Sequence, residues 1–243
     1  MTDSRSGTPR RVLLALAALG WPIAVFTAGV SVMVVGAQPS IPTATGAVSS
    51  AGPSAPVPAE PEDSSQQLAG LATAKKPADG YRRDAFGPAW QDTDHNGCDS
   101  RNDILGRDLT SVVYKPGTHD CVVLSGILDD PYTGATIPFQ RGNLTSEAVQ
   151  IDHVVPLGWA WDYGAADWSD AKRLLFANDP MNLLAVDGES NQSKSDSGPS
   201  HWLPPNRSYR CDYARRFVEV LFTYRLAVPP ADRRTLQGIL KRC

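Results

Sequence analysis

From Gln38 to about Gly80 the chain runs through Pro, Ala, Ser and Thr without one aromatic side chain. Such a stretch cannot bury enough apolar surface to offset the entropy of ordering it, and Pro stiffens it, so it reads as a disordered linker. Folding is thereby confined to residues 81–243, roughly 160 residues, enough to bury a proper core as one domain. Upstream, Arg5, Arg10 and Arg11 precede an uncharged apolar run from Val12 to Ala37. A cleavable signal needs an apolar core of ~7–15 residues and a membrane span needs ~20, so the length favours a membrane anchor. Val35-Gly36-Ala37 nevertheless has the small-residue pattern of a cleavage site. Residues 1–37 are thus a signal peptide or a single-pass anchor. Either one, with the arginines held inside, puts the rest of the chain outside the cytoplasm.

Cys98, Cys121, Cys211 and Cys243 all fall in the exported part. An even count in an oxidising compartment predicts two disulfides, and the absence of any C-x-x-C pair argues against zinc. Connectivity stays open at this level. The preferred pairing is Cys98–Cys121 with Cys211–Cys243, because each pair lies within one segment of the expected fold. Net charge is −3, which gives no general basic footprint for nucleic acid. A local patch would have to do that work, and Arg82, Arg83, Arg101, Arg107 and Lys194 are its candidates.

The element pattern is α+β. A short helix is expected at Asn102–Leu109, strands at Ser111–Lys115, Cys121–Ile127 and Ala135–Phe139, and a turn at Asp129–Gly134. A strand at Gln150–Val155, a helix at Ser169–Phe176, a strand at Asn182–Val186 and a helix opening at Ser190 follow. Tyr213, Phe217, Val220, Leu221 and Tyr224 make a helical stripe in Tyr209–Arg225, and Pro229-Pro230 separate it from a last helix at Ala231–Arg242. Trp161, Trp168 and Trp202 read as core residues.

The chemistry concentrates in IDHVVPL (151–157), MNLLAV (181–186) and NQSKSD (191–196). Hydrolysing a phosphodiester requires a base for the water, a cation for the phosphate oxygens and a group that orients the base. His153 suits the base. Asp152 offers a hard anionic oxygen, and Asn191 a neutral one, for Mg²⁺ or Mn²⁺. Asn182 is expected to fix the His153 ring, and Lys194 to meet a phosphate from nearly the same helix face as Asn191. Adjacent residues on a strand point to opposite faces, so Asp152 and His153 share a site only where the strand ends; Pro156 and Gly158 favour an end there.

These pieces resemble the HNH endonucleases, the ββα-metal or His-Me finger superfamily, in DH at 152–153, N at 182 and NQSK at 191–194. The resemblance implies a ββα-metal core with additional helices and a small antiparallel sheet. It also implies Asp152 and Asn191 as metal ligands, His153 as general base, and cleavage to 5′-phosphate and 3′-hydroxyl ends. From about Tyr81 onward, YRRDAFGPAW, NGCDSRNDILGRDL, DPYTGATIPF, ANDPMNLLAV and WLPPNRSYRCDY look like secreted bacterial HNH proteins. They are also similar to the nuclease half of some modification-dependent restriction enzymes. Nucleic acid, with DNA favoured, is the implied partner; no obligate protein partner is expected.

A second ion site is suggested by Asp92-x-Asp94-x-Asn96-Gly97 with Asp103, the spacing of a calcium loop with Asp in place of the usual Glu. A polar turn tied down by Cys98 is the plainer reading. The alternative to an enzyme is therefore a non-catalytic, calcium-stabilised extracellular binding module on a membrane stalk. Asn191 and Lys194 at metal-helix spacing after Asp-His favour the enzyme.

Overall fold

The computed structural model describes residues 63–142 and 146–243. The Val12–Ala37 run lies outside the described residues, and with it the expected signal or anchor. Among the described residues no helix is long and apolar enough to cross a membrane.

The fold begins earlier than the composition suggests. Helix α1, Ser64–Gly70, is capped by Asp63, whose carboxylate accepts from Ser65 N, and it buries Leu68 completely. Leu71 is buried just beyond it, and Thr73 bridges Val228. Two leucines at the right spacing are enough to hold this stretch against the last helices, so residues 63–80, expected as linker, belong to the fold. After a 3₁₀ turn at Arg83–Phe86 come α2 (Ser100–Asp108), β1 (Leu109–Tyr114), β2 (Val123–Asp129), β3 (Thr136–Gln140) and β4 (Val149–His153). Then follow α3 (Leu157–Asp162), α4 (Asp170–Asn178), β5 (Leu183–Asp187), α5 (Gly188–Lys194), α6 (Arg210–Tyr224) and α7 (Pro230–Leu240). β1, β2 and β3 form an antiparallel sheet in that order, and β4 and β5 form a separate antiparallel ribbon. The fold is α+β, as expected.

The ribbon stands between two cores. Val149, Ile151, Leu183 and Ala185 pack with α2 and the three-stranded sheet. Leu184 and Val186 pack with the larger core, built from α1, α3, α4, α6 and α7. Strand alternation alone produces this division, since residues i and i+2 share a face. In α6 the expected stripe is buried at Tyr213, Phe217, Val220 and Leu221, each fully buried side chain contributing about 1.5–3 kcal/mol. Two disulfides close the periphery, Cys98–Cys121 and Cys211–Cys243, which is the preferred pairing, and no described cysteine is free.

Candidate active site

The ribbon and α5 together make a ββα unit. Asp187 ends β5 and caps α5, its carboxylate accepting from Ser190 N at 2.7 Å. Gly188 opens the helix where any Cβ would collide with the carbonyl oxygen of Glu147, so a side chain at that point would push α5 off the ribbon. A cavity of about 370 Å³ is bordered by Gln150–His153 of β4, by Asn191, Gln192, Ser195 and Asp196 at α5, and by Arg83 and Trp90. β4 is hydrogen-bonded to β5 alone. The cavity therefore follows the strand's other edge, which both faces reach. That is how Asp152 and His153, on opposite faces at the strand end, come to border one space.

His153 is buried, and its Nε2 lies 2.8 Å from the carbonyl oxygen of Ala177. A carbonyl only accepts, so Nε2 carries the proton and Nδ1 keeps the basic lone pair. Burial, with help from the Arg83 and Lys194 charges, lowers its pKa to about 3. The ring is therefore neutral throughout the ordinary pH range.

Asp152 is buried too. Its Oδ2 accepts from the Tyr132 hydroxyl at 2.5 Å and its Oδ1 from Lys194 Nζ at 2.9 Å. Burial raises the Asp152 pKa, opposed by Lys194 and Tyr132, and burial lowers that of Lys194, opposed by Asp152. Each carboxylate oxygen retains a second lone pair. Asn191 donates through Nδ2 to Gln150 Oε1 at 2.8 Å, which leaves its carbonyl oxygen to act as acceptor. Among the described residues no three His, Cys, Asp or Glu side chains are grouped to hold a metal ion. A cation here would have Asp152 and Asn191 and little more from the protein. Mg²⁺ accepts that donor set, because it keeps several waters and uses one or two carboxylates plus substrate phosphate.

Residues 99–236 match the family of the C-terminal domain of GmrSD restriction endonucleases. The chain belongs to this family. It is also 40% identical over 197 residues to a secreted protein of Arthroderma benhamiae, covering 78% of this chain and 91% of that one. No solved structure matches. The matched GmrSD-type domain contains the whole ββα unit, and Arg83 and Trp90 lie upstream of it.

Three expected roles change in the structure. Asn182 does not touch the His153 ring. It is fully buried, accepting from Val155 N at 2.8 Å and donating to Val155 O at 3.1 Å. It thus clamps the chain leaving β4, and Ala177 O does the orienting. Lys194 is fully buried and donates to Asp152 and to His153 O at 2.8 Å, out of reach of a phosphate. On so short a helix the position three residues after Asn191 turns in beneath the ribbon. The arginines sort differently as well. Arg82 is exposed and pairs with Asp84 at 3.5 Å. Arg101 lies over Trp90 and reaches Val149 O at 3.4 Å. Arg107 is consumed by Asp108, Pro180 O and Leu183 O. None of these three borders the cavity; the neighbouring Arg83 does, and it is exposed.

Tyr132 was legible only as part of a turn. In DPYTG, Asp130 is buried, accepts from Thr133 N at 2.7 Å and Asp187 N at 2.9 Å, and so fastens the turn to the start of α5. Gly134, at φ 78°, completes the turn. WLPPN grips the same turn from outside: Asn206 N donates to Tyr132 O and Asn206 Nδ2 to Pro131 O, and Trp202 packs on Tyr132 at 5.0 Å. Both motifs thus serve the Tyr132–Asp152 bond.

The 92–103 loop is folded largely by its own groups. Gly97 N donates to Asp92, Asn96 donates to Asp94 and Asp103, and Cys98 N donates to Asn96 Oδ1. Those carboxylates belong to no metal-holding group among the described residues. Asp92 Oδ1 is buried without a hydrogen-bond partner.

Proposed function

We propose that the protein is an extracytoplasmic, metal-dependent endonuclease of HNH type that hydrolyses phosphodiester bonds, with DNA the favoured substrate. The observation that carries this reading is the meeting of His153, Asp152 and Asn191 at one cavity on a ββα unit, in a chain of a restriction-endonuclease family. His153 takes a proton from water through Nδ1 while Ala177 O holds the ring, and Tyr132 and Lys194 hold Asp152. Asp152 and Asn191 would bind the cation, which supplies charge stabilisation at the phosphate oxygens. Arg83 is the exposed cation placed to meet substrate. Export is supported by the amino-terminal apolar run, the two disulfides and the secreted fungal relative.

The non-catalytic calcium-stabilised module has one observation in its favour, the unpartnered Asp92 Oδ1. It gives no account of the His153 cavity. The deciding experiment is cleavage of plasmid DNA and of RNA by purified protein in Mg²⁺, Mn²⁺ or EDTA, with His153→Ala as control. General-base catalysis is worth ~10²–10⁴-fold, so folded His153→Ala protein should lose at least that. Products should bear 5′-phosphate and 3′-hydroxyl ends. The assignment is falsified if wild-type cleavage survives EDTA, or if the variant cuts at the wild-type rate.

A further inference from the structure

Trp90 is the one large aromatic beside His153 whose position packing alone does not explain. Its backbone sits at φ 59°, a region that a bulky side chain occupies only when its surroundings enforce it, and where such outliers cluster at ligand sites. The enforcement is visible. Gln91 N, the next amide along, donates to Asn178 Oδ1 at 2.9 Å. The same oxygen takes the Ser100 hydroxyl at 2.8 Å, and Asn178 Nδ2 donates to Leu174 O. The Trp90 ring is half-buried, packs against the smaller core and carries the Arg101 guanidinium 5.9 Å from its centre. It nevertheless borders both cavities that reach His153, and Arg83 borders both as well. Arg83 makes no ion pair among the described residues; it interacts with the Tyr81 hydroxyl and shares the cavity border with Asp196, and its five N–H groups leave donors for a phosphate.

An indole packed against a core and a guanidinium yet bordering the cavity, next to an exposed arginine, is the pairing that single-stranded nucleic acid uses: a ring for a base, a cation for the adjoining phosphate. A base offers its flat face only when it is unpaired or flipped out. The cavity, about 370 Å³, is at the small end of ligand sites and suits one nucleotide, not a duplex.

We propose that Trp90 stacks an unpaired base beside the scissile bond while Arg83 holds a neighbouring phosphate, which directs this enzyme to single-stranded or locally opened nucleic acid. The proposal rests on the nuclease reading. It adds a substrate preference supplied from outside the region matched to the family, residues 99–236.

The test compares kcat/KM on a single-stranded oligonucleotide and on its duplex for wild type, Trp90→Phe, Trp90→Ala and Trp90→Gly. Loss of one stacked base should lower the single-strand to duplex ratio roughly 5- to 150-fold in Trp90→Ala. Trp90→Phe should restore most of it. Trp90→Gly tolerates the positive φ, removes the ring without backbone strain and should match Trp90→Ala. An unchanged ratio in the folded Ala and Gly variants overturns the proposal. Fluorescence anisotropy with a labelled single strand in EDTA, on a His153→Ala background, separates the two readings. If nothing is cut yet binding still depends on Trp90, the nuclease reading falls and the base platform stands. If the wild type cuts and neither ratio nor binding depends on Trp90, the platform falls and the nuclease reading stands.

Discussion

Replacing Lys194 by Met tests whether this lysine belongs to the substrate or to the scaffold. Its ammonium donates to Asp152 Oδ1 at 2.9 Å and to His153 O at 2.8 Å, and the two side chains of the ion pair are 0% and 5% exposed. Met retains the bulk of the stem and deletes the charge, which leaves the Asp152 carboxylate buried with Tyr132 as its remaining donor. Breaking a buried ion pair on one side costs about 3–5 kcal/mol, the range also expected from two charge-assisted hydrogen bonds. For a domain of this size that lowers Tm by about 6–20 °C. Removing both charges should recover much of it, because the penalty is mainly that of the orphaned carboxylate. Asp152→Asn/Lys194→Met keeps an acceptor for Tyr132 and should be more stable than Lys194→Met alone. Urea unfolding of the wild type, both single variants and the double variant supplies the cycle. If Lys194→Met unfolds within about 0.5 kcal/mol of wild type, or the double variant shows the full sum of the single losses, the buried-pair account is wrong. A phosphate-binding role would then regain its standing.

Two further outcomes follow from the same geometry. His153 has a folded pKa of about 3 against an ordinary 6.5, so its contribution to stability is fully present above about pH 6.5 and is lost as the unfolded chain takes up the proton on acidification. Between pH 7.5 and 5 in EDTA this amounts to about 2 kcal/mol; urea midpoints at the two pH values should converge in His153→Gln relative to wild type, and parallel pH slopes would show the ring is not buried neutral. Asn182→Ala orphans the Val155 N–H and C=O inside the fold and should destabilise by about 2–4 kcal/mol with little change in metal affinity by calorimetry; a loss of metal binding without a loss of stability would return Asn182 to the site itself.

The sequence carried the element order well where period and punctuation agree. The α6 stripe, the Pro229-Pro230 break and the two strands of the ribbon are local signals, and the structure has them within a few residues. Helix α1 escaped because its composition is that of a linker, and its order comes from a core more than a hundred residues away. That Asp152, His153 and Asn191 would border one space was legible from their types and spacing. The directions of Lys194 and Asn182 were not, since a side chain's partner depends on which face of a short element its neighbours cover. Arg82 and Arg83 show the limit most plainly: two identical residues in succession, one paired outward with Asp84 and the other at the cavity, with nothing in the sequence to tell them apart. Tyr132 and Trp90 were hidden for the related reason that each acts across a long loop.

Many of the bonds that assemble the site span distance along the chain. Tyr132 and Asp152 are 20 residues apart, His153 and Ala177 24, Val155 and Asn182 27, Asp152 and Lys194 42, and Gln91 and Asn178 87. Contacts of that separation form only after the intervening loops have closed, late in a folding reaction. The proposed hydrolytic apparatus is therefore a property of the folded domain. Before that fold is complete His153, Asp152 and Asn191 are unrelated side chains, and on the proposed reading an unfolded chain cannot cut nucleic acid.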